Sequence, residues 1–240
     1  MELKGKIIAH RGASAYAPEN TIAAFNMAAK LGCQFIEFDV MLSHDNVPFV
    51  FHDDAVRRTT NGRGDFAQKS AAEIQTLDAG MWVSKSFKNE RIPSFEAVIR
   101  WLAEHDMQAN IEIKPDKDRI KETTIAVLTT INRCWPVTMP MPLVSSFEME
   151  ALILARSLAP ELPLGMLMHN WDNNWNKEAQ ALNCTSIHLS SSITTQKRVA
   201  SIKDKGYKVY VYTVNRRRQA MKLFKWGVDA VFSDYPDLLA

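Results

Sequence analysis

Short apolar runs recur along the chain, and most neighbouring pairs are separated by enough residues for a helix. The runs occupy 6–10, 35–40, 110–114, 143–147, 164–168, 186–189, 208–213 and 229–233. Between them the apolar spacing shifts to the three-and-four step of an amphipathic helix. After the first run, Asn20 or Thr21 caps a helix that carries Ile22, Phe25, Met27 and Leu31 and stops at Gly32. Another follows Pro93, with Phe95, Val98, Ile99 and Leu102 on one stripe. Further helices are predicted over about 119–133, 148–158, 175–182, 195–205 and 216–226. Eight strands alternating with helices predict an α/β fold, a closed parallel barrel.

One run breaks the rhythm. Residues 47–52 read as a strand, yet only the turn at 43–46 separates them from the run at 35–40. A parallel crossover needs about a dozen residues or more, so this strand must return antiparallel, as a hairpin over the barrel mouth. That places His52 beside Glu37 and Asp39. The following stretch, about 53–92, is rich in Thr, Asn, Gly, Asp and Lys and contains a capping box at Ser70–Glu73. It is too short to bury a core of its own. It is therefore read as a cap inserted after the second strand, with residues 1–240 forming one domain.

Charge and cysteine content narrow the field. Lys and Arg total 29 against 27 Asp and Glu, a net charge of +2, which is no footprint for nucleic acid. No stretch approaches the roughly 18 consecutive apolar residues of a membrane span, and the first residues lack the apolar run of a signal peptide. Cys33, Cys134 and Cys184 are odd in number and scattered, which fits reduced thiols and a cytoplasmic setting.

A parallel barrel strand is covered on both faces and should be continuously apolar. Two strands depart from this near their C-terminal ends, where barrel enzymes hold their sites. Glu37 and Asp39 share one face, with Ile36, Phe38 and Val40 on the other. Glu112 and Lys114 do the same, with Ile111 and Ile113 opposite. His10-Arg11-Gly12 closes the first strand, and Gly12 permits a sharp turn. Three converging carboxylates repel one another and lose hydration. A divalent cation resolves this, and all-oxygen donors favour Mg²⁺ or Ca²⁺ over zinc. A buried ion pair with Lys114 or Arg11 is the alternative for Glu37 or Glu112. Two imidazoles, His10 and His52, beside Arg11 and Lys114 suit a phosphate ester: the cations hold its oxygens while the imidazoles move protons.

His10-Arg11-Gly12, Pro18-Glu19-Asn20-Thr21, Ala24-Phe25, Glu37-Phe38-Asp39 and the run from Pro48 to Asp53 occur in order. They are followed by Arg58-Thr59-Thr60-Asn61-Gly62, Glu112-Ile113-Lys114-Pro115, Ser145-Ser146-Phe147, the run from Tyr212 to Asn215, Gly227-Val228-Asp229 and Ser233-Asp234. This ordered set resembles the glycerophosphodiester phosphodiesterase family, and most closely its short bacterial cytoplasmic members. The resemblance implies a TIM (β/α)8 barrel with an inserted cap and a small-molecule glycerophosphodiester substrate. It implies His10 and His52 as the acid/base pair and Glu37, Asp39 and Glu112 as ligands of one Mg²⁺ or Ca²⁺. Arg11 and Lys114 match the family's phosphate-holding cations. It further implies cleavage to sn-glycerol 3-phosphate and an alcohol through a cyclic phosphate. Tyr212 and Ser233 stand where many relatives have Trp and Thr, which bears on the choice of alcohol.

Two other functions compete. A different metal-dependent barrel phosphoesterase would call for His-rich ligands, and a catalytically silent phosphate-binding barrel has no use for two imidazoles. Of the remaining candidates, His44 lies in a turn, His105 closes a helix and His169 begins a loop. His188 sits on a strand from which it either faces the barrel mouth or serves only as a structural residue. Trp171 and Trp175 belong to the rim, Arg216 to Arg218 form a solvated helix start, and Asn61 with Gly62 and Gly64 makes a turn.

Overall fold

The computed structural model describes residues 5–238. The absence of a targeting signal read from the first residues therefore falls partly outside the described residues. Eight parallel strands close a barrel: β1 (Ile7–His10), β2 (Phe35–Leu42), β4 (Gln108–Ile113), β5 (Leu143–Ser146), β6 (Leu164–Met168), β7 (Ser186–Ser190), β8 (Lys208–Tyr212) and β9 (Ala230–Ser233). Pairing of β1 with both β9 and β2 completes the ring. The helices α1 (Ile22–Lys30), α3 (Phe95–Glu104), α4 (Ile120–Cys134), α5 (Met149–Leu158), α6 (Trp175–Ala181), α7 (Gln196–Lys203) and α8 (Arg217–Lys225) alternate with the strands. None of the described helices is long and apolar enough to cross a membrane.

The antiparallel strand β3 (Pro48–Val50) pairs Val40 with Val50 and Leu42 with Pro48. The opposite edge of β2 is taken by β4, while β1 reaches only Ile36 and Glu37. Thus β3 uses the length of edge that β1 leaves open, beyond the barrel's C-terminal end.

Thr21, not Asn20, caps α1, its side chain accepting from the Ala24 N–H. Asn20 has φ +57 and spends its amide on Asp39 instead. The strand expected at 110–114 begins earlier, because Gln108 pairs with Phe35, and ends at Ile113. Lys114, one residue past β4, still donates its N–H to the Val40 carbonyl at 3.1 Å, and Pro115, which has no N–H, ends the ladder there.

Two cores follow from strand alternation. Outward residues such as Ile36, Phe38, Ile111 and Val144 pack under the helices. Inside the barrel, Ile8, Phe35, Leu143, Tyr210 and Phe232 fill the axis. The insertion's apolar side chains share a cluster with the hairpin rather than forming one of their own. Phe66, Val56, Ile74 and Ile92 pack on Met41, Phe49 and Phe51, which the hairpin supplies, and Phe51 stacks on Phe66 at 4.7 Å. The short helix α2 (Ala71–Thr76) starts with the capping box of Ser70 and Glu73.

His188 faces the axis, fully buried between Tyr210 and Phe232, and its Nε2 pairs with Ser186 Oγ at 2.8 Å. The ring leaves no space across the barrel: a Cβ on Gly165 would lie 2.5 Å from Nε2. Burial lowers the imidazole to a pKa of about 3. The unfolded chain, with an ordinary value near 6.5, binds this proton first, so stability is lost as pH falls below about 6.5. Between pH 7 and 5 this group alone should cost about 2 kcal/mol. Urea unfolding at both pH values should show that loss for the wild type and lack it for His188→Gln.

Candidate active site

Strand β1 ends in a turn that requires unusual backbone. Arg11 adopts φ +54 and Gly12 φ +80, and a Cβ on Gly12 would meet the Ala24 backbone at 2.8 Å. The turn aims the Arg11 N–H at Glu37, where it donates to Oε2 at 3.0 Å. Strain of this kind persists where the surroundings over-determine it.

Glu37, Asp39 and Glu112 are all buried and bring carboxylate oxygens within 4.8 Å of one another. The register explains it: Asp39 stands opposite Glu112 across β2 and β4, with Glu37 two residues below. Burial, then repulsion from Asp39 and Glu112, holds Glu37 well above the usual carboxylate range. Burial and Asp39 push Glu112 up to about 8. Asp39 goes the other way: burial opposes its charge, but the cations of Arg11 and Lys114 and the Asn20 amide keep it ionised. The set is a group of hard oxygen donors with more negative charge than its cations offset, which fits a divalent ion of the Mg²⁺ or Ca²⁺ type.

A cavity of about 140 Å³ opens beside these acids. His10, Arg11, Glu37, His52, Asn110 and Glu112 form its polar side, and Phe147, Leu167, Tyr212, Thr213 and Phe232 the remainder. Each histidine is paired with an aspartate: His10 Nδ1 donates to Asp234 Oδ1 and His52 Nδ1 to Asp53 Oδ1, both at 2.7 Å. Such a bond fixes the tautomer and leaves Nε2 for chemistry. Burial lowers the His52 imidazole despite the opposing pull of Asp39. The structure therefore gathers His10, His52, Arg11, Glu37 and Glu112 on one cavity. Asp39 lies directly behind them, within 3.5 Å of Arg11 Nε. Lys114 lines the neighbouring groove, which shares Glu112 and Phe147 with the cavity, and its charge acts on Asp39, His52 and Glu112.

The glycerophosphoryl diester phosphodiesterase family model matches residues 10–238. The chain belongs to that family. It is an enzyme, a phosphodiester hydrolase of this family. A phosphodiesterase of Oleispira antarctica, solved in complex with the product sn-glycerol-3-phosphate, is 39% identical, with TM-score 0.94 over 97% of this chain and 94% of that one. A glycerophosphodiester phosphodiesterase of Caldanaerobacter subterraneus is 34% identical over 99% of this chain and 97% of its own. The glycerophosphodiester phosphodiesterase structure from Agrobacterium tumefaciens is 29% identical, with TM-score 0.79 over 97% of both chains.

Sequence reasoning overlooked the groups that hold this phosphodiesterase site in shape. Asp53 and Asp234 each follow a residue already singled out, His52 and Ser233, but nothing local says which histidine they face. Glu19 receives Arg11 Nη1 at 2.7 Å. Arg58, from the inserted cap, donates to both oxygens of Asp53, from Nε at 2.6 Å and Nη2 at 2.9 Å. It also donates to both oxygens of Glu19, each at 2.7 Å. Burial raises the Asp53 carboxyl, but its bonds to Arg58 and His52 overcome this and hold it down at about 2. One guanidinium thus ties the His52 pair to the Arg11 pair. Arg58→Met should lower kcat at least tenfold while moving the melting temperature by no more than a few degrees, since the side chain is half exposed. Arg58→Lys, which keeps the charge without the fork, should recover only part of the loss. Steady-state kinetics beside thermal melts would check both.

Proposed function

We propose that this enzyme hydrolyses glycerophosphodiesters to sn-glycerol 3-phosphate and an alcohol, with His10 and His52 moving the protons. The observation that carries the reading is the pair of imidazoles on one small cavity, each oriented by its own aspartate and both beside a buried carboxylate trio. A site that only binds phosphate has no need of two oriented proton carriers. The product found with the Oleispira antarctica relative agrees with this chemistry.

Glu37, Asp39 and Glu112 would hold the divalent cation, and when bound it would supply charge to polarise the phosphate and acidify a nearby hydroxyl. Arg11 offers its guanidinium to the phosphate oxygens, and Lys114 approaches from the groove. His52, kept neutral at pH 7 by burial, takes the proton of the glycerol C2 hydroxyl. The freed oxygen attacks phosphorus. His10 gives a proton to the departing alcohol as its bond to phosphorus breaks. In the second half His10 takes a proton from water, which attacks the cyclic phosphate, and His52 returns a proton to the C2 oxygen. Attack from within the substrate exploits the high effective concentration of a neighbouring hydroxyl. We assign residues 1–240 to a single domain whose cap completes the site.

Glycerol 3-phosphate release from glycerophosphocholine, followed by a coupled dehydrogenase, tests the reading. His10→Ala and His52→Ala should each slow turnover roughly 10²- to 10⁴-fold with circular dichroism unchanged; near wild-type rates in either would refute the pairing. Chelation with EDTA should abolish release, and Mg²⁺ or Ca²⁺ should restore it. Glu112→Gln should weaken divalent-ion affinity in a direct calorimetric titration, and unchanged affinity would remove Glu112 from the ligand set.

A further inference from the structure

Two buried polar atoms on the cavity wall lack a hydrogen bond: Arg11 Nε and Asn110 Oδ1. Arg11 Nε still faces the Asp39 carboxylate at 3.5 Å. Asn110 is 1% exposed, and its Nδ2 donates to Ser145 Oγ at 2.9 Å, which pins the carboxamide. Its strand neighbours are Leu143 on one side, which has no donor, and Glu37 on the other, which only accepts when it is ionised to hold a cation. A buried acceptor left without a partner is unfavourable, and one held rigidly against a ligand cavity calls for a donor from the ligand.

The chemistry of the substrate says which donor. This step rests on the hydrolytic reading above. The phosphate oxygens carry no proton at neutral pH, and the C2 hydroxyl gives its proton to His52. On the glycerol arm only the C1 hydroxyl still has one to offer. We propose that Asn110 Oδ1 accepts a hydrogen bond from that C1 hydroxyl and so selects free glycerol arms over arms that lack it. A hydroxyl both donates and accepts, so it suits the carboxamide in either orientation. The cavity, about 140 Å³ with Leu167 and Phe232 on its apolar side, is sized for a three-carbon arm. An acyl ester at C1 removes the donor and adds bulk, so 1-acyl glycerophosphodiesters should be poor substrates. Asn110 contacts substrate in this assignment without moving a proton. Sites built around a substrate hydroxyl discriminate strongly against analogues without it, because the site's own polar group is then left unpaired.

The test compares kcat/KM for glycerophosphocholine and for its 1-deoxy analogue, the propane-1,2-diol phosphodiester of choline, in wild type, Asn110→Ala and Asn110→Leu. Both substrates retain the C2 nucleophile, and the ratio within one preparation does not depend on how much of the protein is folded. The wild type should favour the glycerol substrate about 10- to 100-fold, and both variants should narrow the ratio to about threefold or less. Equal rates on the two substrates in the wild type, or an unchanged ratio in both variants, would overturn the role of Asn110 and leave the phosphodiesterase reading standing. A clear loss of divalent-ion affinity in Asn110→Ala, measured by titration of Mg²⁺, would also overturn it by making Asn110 a metal ligand. Release from neither substrate by wild-type enzyme would refute the hydrolytic reading and this inference with it.

Discussion

Three carboxylates held close together, out of reach of bulk water, form an arrangement that a folded chain adopts only with compensation. The barrel register forces it, since Glu37 and Asp39 must share the inner face of β2 and Glu112 must stand opposite Asp39. The surrounding cations answer it. The Arg11 N–H reaches Glu37, its guanidinium approaches Asp39, and Asn20 gives up its place as a helix cap to donate to the same aspartate. Two of the three acids nonetheless remain poised toward protonation. The left-handed turn at Arg11 and the missing side chain at Gly12 follow from the same requirement.

The second organising feature is the way in which the cap joins this centre. Its side chains do not line the cavity directly. Arg58 instead grips two acids, one orienting His52 and one orienting Arg11. Val56, two residues before Arg58, belongs to the cap's apolar cluster, which is seated on Phe49 and Phe51 of the hairpin. The His52–Asp53 pair and the Arg11–Glu19 pair are thus tied together through one guanidinium. The symmetry of the two histidine–aspartate pairs suits a two-half reaction in which acid and base exchange roles.

Much of this was legible in the sequence because period and length carry it. The alternation of apolar runs with helical stretches gave away the barrel, and the short gap before Val47 gave away the hairpin. Alternate-position charges on otherwise apolar strands marked Glu37, Asp39 and Glu112. What stayed hidden depends on distances between segments far apart in the chain. Asp234 meets His10 across more than two hundred residues, and no local pattern encodes that. His188 was undecided for a related reason: facing the axis and facing the solvent-filled mouth look identical in a strand pattern, and only the filling by Tyr210 and Phe232 separates them.

The hairpin strand β3 borrows a length of β2 that ring closure does not use. Changes of length in the cap between Arg58 and α3 therefore fall outside every strand of the eight-membered ring. The barrel and the excursion are in this sense separately editable, with the few residues from His52 to Arg58 as their fixed hinge. Such an arrangement leaves the roof above the cavity open to remodelling without redesign of the floor beneath it.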